Sequence, residues 1–193
     1  MSQFDSVLTE LIYQTLNVFF LDETSLEVDH CEEKFKLRRL CQKSIKAGKG
    51  RGITTYFDPS KAKWEEGKSY KKHQVVKLRH QNVDIINTYR SQTCNLGDFI
   101  ESLLSVIDTG RNTIVTGDFN ICFNENRGNR IISYLTEIGF RQIVHEPTHI
   151  RGRLIDHVYW LDMTRQYNIE VDRYSPYYSD HDGLCITLTE KKS

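Results

Sequence analysis

Two short segments constrain this chain more than anything else in it: Thr113-Ile-Val-Thr-Gly-Asp-Phe-Asn120, and Ser179-Asp-His181 near the C-terminus. Four β-branched residues run into a glycine, so the first segment reads as a strand that delivers Asp118 and Asn120 at its end. Period-2 alternation then predicts that both side chains point to one side. The second segment places a carboxylate and an imidazole just ahead of another apolar run, Gly183 to Leu188. A fold that brings these two strand ends together offers oxygen ligands for a hard cation, and an acid or base for phosphate chemistry.

The chain has 193 residues, 38% of them apolar, with 11 Gly and 3 Pro. That composition fits one α/β-sized domain over residues 1–193, long enough to bury roughly 70% of its unfolded surface without a disulfide or metal staple. The 5 cysteines, at positions 31, 41, 94, 122 and 185, form neither a CxxC pair nor a zinc spacing. They read as reduced core thiols of an intracellular protein, nuclear or cytoplasmic. No apolar run approaches the ~18 residues of a membrane span, and the Met1-Ser-Gln-Phe-Asp5 start lacks the basic character of a signal peptide. A soluble chain with no membrane partner is expected.

Helical spacing of Phe4, Val7, Leu8, Leu11, Ile12 and Leu16 predicts an amphipathic helix over Gln3 to Leu16, followed by a strand at Asn17 to Leu21. Glu33 to Gln42 is ambiguous between strand and short helix. Lys46 to Gly52 reads as a turn, Ile53 to Phe57 as a strand, and the charged stretch Lys61 to Lys72 as a surface loop. Strands are expected at Gln74 to Leu78 and Val83 to Tyr89, then a helix through Phe99 to Ile107 stopped by Gly110. After the strand into Asp118 come a helix over Asn129 to Ile138, a short strand at Gln142 to Val144, and closing strands at Ile155 to Leu161, Asn168 to Arg173 and Gly183 to Leu188.

The formal net charge of zero conceals a block: residues 34 to 79 hold 15 Lys or Arg against 3 Asp or Glu. Such a block reads either as a footprint for a polyanion or as a solvated face whose lysines keep sheet edges apart.

The same residues resemble the endonuclease/exonuclease/phosphatase superfamily of the DNase I and AP-endonuclease type. Its landmarks match Glu23 in Leu21-Asp-Glu-Thr-Ser-Leu26, the Gly117-Asp-Phe-Asn120 strand end, Asp156 in Leu154-Ile-Asp-His-Val158, and Ser179-Asp-His181, over about Gln3 to Leu188. The resemblance implies a four-layer α-β-β-α sandwich. It also implies a Mg²⁺- or Mn²⁺-dependent phosphodiesterase, foremost an endonuclease acting on DNA, like those borne by mobile elements. In that reading Glu23 and Asp180 hold metal, Asp118 with Asn120 activates water, and His181 oriented by Asp156 stabilises the phosphate charge. Tyr89 reaches the scissile phosphate, and Lys49, Arg51, Lys71 and Lys72 are the candidates for the nucleic-acid backbone. The rival readings are a catalytically inactive remnant that binds nucleic acid or protein, and a phosphatase acting on a lipid or small phosphoester.

One landmark is not matched. The family's first strand carries an Asn near the metal, whereas this chain opens on the helix expected after that strand, and Asn17 precedes Glu23 by too much of one strand to replace it. Two further patterns are rejected on physical grounds. His145-Glu-Pro-Thr-His149 fits the HExxH zinc expression, but Pro147 inside the required helix costs ~3 kcal/mol or more, so this stretch reads as loop. The Gly48 to Gly52 turn lacks the ending of a phosphate-binding loop. His157 adjoins Asp156 and should face the other side of its strand.

Overall fold

A computed structural model describes residues 17–23, 40–47, 51–70, 72–125 and 129–191. Its main layer is a six-stranded sheet in the order β4-β5-β6-β7-β9-β8. These strands are β4 (Ala62–Ser69), β5 (His73–His80), β6 (Val83–Arg90), β7 (Asn112–Asp118), β8 (Arg141–Gln142) and β9 (Asp156–Leu161). Only the β6–β7 pair is parallel; its crossover runs through helix α1 (Leu96–Leu104). Helix α2 (Arg130–Glu137) follows β7.

Alternation along the strands decides what each face covers. Val75, Ile86, Val115 and Tyr159 point to one side and pack with Phe99 and Leu103 of α1 and Ile131 and Leu135 of α2. The opposite face is covered by two smaller sheets. One has the order β1-β3-β2, from β1 (Val18–Leu21), β2 (Cys41–Ala47) and β3 (Arg51–Phe57). Its Ile53 and Phe57, with the partly buried Val18 and Phe20, pack on Val76, Leu78 and Tyr89. The other sheet is the pair β10 (Tyr167–Tyr174) and β11 (Gly183–Glu190). Its Ile169, Val171, Ile186 and Leu188 lie over Val83, Ile114, Val158 and Trp160. The architecture is the α/β sandwich expected, with helices on one side and sheet stacked on sheet. The helix expected over Gln3 to Leu16 lies outside the described residues.

Several expectations are corrected. The charged stretch Lys61 to Lys72 is not a loop: Ala62–Ser69 forms edge strand β4, which pairs with β5 through a register shift between Trp64 and Glu66. Ala62 is buried and Trp64 partly so, while Lys63 is exposed and Glu65, Glu66 and Lys68 are partly exposed, and charge with a bulge is how an exposed sheet edge resists association. Helix α1 ends at Leu104, well before Gly110, with Ser105 as its C-cap. Cys41 is an exposed free thiol, whereas Cys94 and Cys122 are buried.

Part of the basic block is also turned inward. Asp84 is fully buried and meets Lys77 Nζ at 2.9 Å, Arg79 Nε at 2.9 Å and Arg111 Nε at 3.2 Å. Burial alone would raise its pKa, but hydrogen bonds from Arg79 and Lys77 hold it below the ordinary carboxylate value. Lys63 and Lys68 pair with Glu65 and Glu66 at 3.2 and 3.1 Å. Of the four candidate backbone-binding cations, Lys49 and Lys71 lie outside the described residues, Arg51 opens β3, and Lys72 donates to the Thr93 carbonyl at 3.0 Å.

Candidate active site

The C-terminal ends of β1, β6 and β7 meet the start of β9 at one edge of the sandwich, and their last residues carry the polar groups. In the parallel β6–β7 pair Tyr89 lies opposite Asp118, and in the antiparallel β7–β9 pair Asp118 lies opposite Asp156. Asn87, two residues before Tyr89, shares its face.

Gly117 permits this arrangement. It has φ 127°, and a Cβ built there would sit 1.9 Å from the Thr88 carbonyl oxygen across the pair. Only glycine lets β7 come this close to β6 just before Asp118. Asn120 lies beyond the strand, in a left-handed turn at φ 49°. Its amide and backbone nitrogens donate to Asp118 Oδ2 and Oδ1, both at 2.8 Å, and the amide also donates to the Arg90 carbonyl at 2.8 Å. Strand alternation was the wrong reason for expecting the two side chains together: a turn folds the amide back onto the carboxylate.

Glu23 follows β1 with φ 53°, and its Oε1 accepts a hydrogen bond from the Tyr89 hydroxyl. Tyr89 is buried, so its hydroxyl holds the Glu23 carboxylate at the site. Asp22, which the sequence reading passed over, turns inward as well and accepts from Asn87 Nδ2 at 2.6 Å. Burial pushes its pKa from 3.8 up to about 7, and the nearby Asp156 and Glu23 charges add to the rise against hydrogen bonds from Asn87 and the Asp118 backbone. Asp118 is raised well above the ordinary value for the same reasons, burial first and the Asp156 charge second.

His181 Nδ1 lies 2.9 and 3.1 Å from the two Asp156 oxygens. The hydrogen bond to Asp156 raises its pKa to about 9 against the cost of burial, with the Asp156, Asp118 and Asp180 charges assisting. At neutral pH it is therefore an imidazolium, oriented by Asp156. His157 instead is buried in the core, with Nε2 2.8 Å from the Ile121 carbonyl, and burial lowers its pKa to about 4.

The stretch containing Pro147 is a loop, as expected, and it supplies two residues that the sequence reading missed. Thr148 donates to Asp156 Oδ2 at 2.7 Å while its hydroxyl oxygen accepts the Asp156 and Ile155 backbone N–H groups at 3.1 and 3.3 Å. His149 Nδ1 accepts the Arg151 N–H at 3.0 Å, so in the neutral ring the proton sits on Nε2, 3.3 Å from Asp180 Oδ2. This tautomer makes His149 a donor to Asp180 rather than a metal ligand through Nε2, although His149, Asp180 and His181 lie within 4.8 Å of one another. The His149 ring packs edgewise on His181, centroids 4.8 Å apart. Asp180 itself is largely exposed, and nothing but pairing of two distant loops would have linked Thr148 or His149 to the site.

Asp22, Glu23, Asp118 and Asp156 thus converge with one imidazolium among them. Burial first, and the neighbouring carboxylate charges after it, disfavour ionised Asp22 and Asp118, a setting that a divalent cation relieves. The donor set, all carboxylate oxygens, suits a hard ion such as Mg²⁺ or Mn²⁺.

No protein-family model and no curated protein matches the sequence. Solved structures do match the fold. An AP endonuclease from Archaeoglobus fulgidus superposes with a TM-score of 0.71 at 14% identity, over 96% of this chain and 93% of that one. The 3'-5' exonuclease NExo from Neisseria meningitidis gives 0.71 at 15% identity, over 98% and 95%. The endonuclease domain of the non-LTR retrotransposon TRAS1 gives 0.66 at 16%, over 96% and 90%. With helices on one face of a six-stranded sheet, smaller sheets on the other and acidic strand ends gathered at one edge, the chain has the fold of the endonuclease/exonuclease/phosphatase superfamily.

Proposed function

We propose that this chain is a divalent-metal-dependent phosphodiesterase that hydrolyses DNA, acting as an endonuclease. The observation that carries the reading is the geometry at Asp118: a buried carboxylate clamped by Asn120, its proton affinity raised by burial and by the Asp156 charge, beside the Asp156-oriented His181. Asp118 takes the proton from water while the Asn120 amide fixes the carboxylate. The His181 imidazolium neutralises charge on a nonbridging phosphate oxygen in an in-line displacement.

Asp22, Glu23 and Asp180 are the carboxylates left to hold the metal, with Asn87 and Tyr89 fixing the first two. When bound, the ion supplies positive charge to phosphate oxygens. Endonuclease and exonuclease chemistry in the superposed enzymes supports a phosphodiester substrate, and NExo, described also as a 3' phosphatase, supports a phosphomonoester as the second reading.

The test is nicking of supercoiled plasmid with Mg²⁺, with EDTA as the control, by the chain and by a D118N/H181A double variant. Nicking by the chain alone, abolished by EDTA, is expected. Equal nicking by both proteins would assign the activity to a contaminant.

A further inference from the structure

Arg173 stands where the pattern of its strand calls for an apolar side chain. Alternation puts Tyr167, Ile169, Val171 and Arg173 of β10 in one row, and the first three pack over the six-stranded sheet. The guanidinium that ends the row reaches two loops at once. Its Nη1 donates to the Pro147 carbonyl, its Nη2 donates to Glu146 Oε2 at 2.7 Å, and its Nε lies 3.4 Å from Asp182 Oδ2. Ser175 Oγ donates to the other Asp182 oxygen at 2.5 Å and fixes that carboxylate in turn.

These contacts close a ring around the His181–Asp156 pair. Asp182 follows His181, whose Nδ1 donates to Asp156. Asp156 Oδ2 accepts from Thr148, which follows Pro147. Arg173 then joins Pro147 back to Asp182. Two backbone bonds cross the ring, from the Asp182 N–H to the Thr148 carbonyl at 2.7 Å and from the Ile150 N–H to the Asp180 carbonyl at 2.9 Å. Residues 145–149 and 175–182 lie outside the named strands, so such ties set their spacing, whereas Arg173 is held by β10 opposite Leu184 of β11. Glu146 is 74% exposed, so its pair with Arg173 adds little stability. What the planar fork supplies is orientation, which one ammonium on a flexible stem would not give to both loops.

We infer that Arg173 is a positioning residue, whose guanidinium fixes the spacing of the two loops and so aims the His181 imidazole at the phosphate oxygen. That role rests on the phosphodiesterase reading, because Arg173 acts through His181. The test compares the wild-type chain with R173M, R173K, H181A and R173M/H181A, each checked for folding by circular dichroism. Proton NMR in EDTA at neutral pH follows the Nδ1–H of His181, assigned by its loss in H181A. Hydrolysis of bis(p-nitrophenyl) phosphate with Mg²⁺ gives kcat and KM. R173M should broaden or lose the His181 resonance with the rest of the spectrum kept, and lower kcat about tenfold with KM within about twofold. R173K, which keeps the charge without the fork, should recover only part of both. Once His181 is alanine, R173M should cost nothing further. A wild-type His181 resonance in R173M overturns the inference, and so does a loss of kcat that is equal with and without His181. Where R173M fails to fold, R173K decides: intermediate values support the fork, and wild-type values overturn it. A resonance lost in R173M, from a wild type that hydrolyses no diester, keeps Arg173 as the residue that positions His181 and removes the phosphodiesterase reading.

Discussion

Thr148 shows how one hydroxyl holds the His181 side of the site together. It is fully buried, donates to Asp156 and accepts two backbone N–H groups. Thr148→Val keeps the shape and leaves those donors unpaired, at a cost of ~1–3 kcal/mol. Thr148→Ser should keep most of the stability, so denaturant melts of the two variants should separate clearly. Asp118 and Asn120 were singled out in the sequence by the β-branched run that leads into them, His181 by the apolar run just after it, and Asp156 by the family resemblance. Thr148, His149 and Asp22 were not. Alternation assigns Asp22 the face opposite Glu23, and only the positive φ of Glu23 lets both turn toward the site. The pH dependence of stability gives a second test. A carboxyl whose folded pKa is raised, as Asp22 is to about 7, stabilises the fold fully below its unfolded value of 3.8 and loses that contribution as pH rises through about 7. In EDTA, Asp22→Asn should therefore gain stability relative to wild type as pH rises from 4 to 8, and added Mg²⁺ should narrow the gap. A difference between the two proteins that stays constant across that range would remove the buried charge cluster from the account.

Among the elements, β7 carries the tightest constraint. Gly117 comes so close to Thr88 of β6 that any Cβ must displace backbone rather than a flexible side chain. Gly117→Ala adds one methyl group at a positive φ and wedges the two central strands apart, so it should destabilise by ~3 kcal/mol or more and yield mostly insoluble protein. Gly152→Ala, also at a positive φ, 74° against 127°, but with nothing within 4 Å of the added atom, is the control and should express far better than Gly117→Ala. Comparable yields of the two variants would mean that strain in φ, rather than strand contact, dominates at Gly117. The glycine before Asp118 was visible in the sequence, but its purpose was not, since it depends on a partner strand that pairs from a distance. Strand β4 was missed for the converse reason. An edge strand needs only one inward face, and its outward lysines and glutamates dilute the apolar pattern by which strands are read.

At the scale of the whole molecule the site is a seam. Asp22 and Glu23 come from the sheet of β1, Asp118 and Asp156 from the six-stranded sheet, and Asp180 and His181 from the loop that enters β11. Among the described residues, β1 pairs only with β3 and β11 only with β10, so the two small sheets are joined through their shared packing on the large one. The large sheet holds the fully buried Val76, Ile86, Val115 and Trp160, whereas every residue of β1 is only partly buried. Amides of β6, β7 and β9 should thus open only with global unfolding, and those of β1 and β10–β11 through smaller, cheaper openings. An ion bound across the seam stabilises only states in which all three sheets are docked, by RT ln(1 + [L]/Kd). Hydrogen exchange followed by mass spectrometry should accordingly show Mg²⁺ slowing exchange most in peptides spanning Val18–Leu21 and the entrance to β11, and least in β7 and β9. A D180N variant, which keeps Asp22 and Glu23, should lose most of the effect at β11 and part of it at β1. If Mg²⁺ protects every segment equally, or none, then the carboxylates at the seam do not share one ion and the metal must be sought elsewhere on the chain.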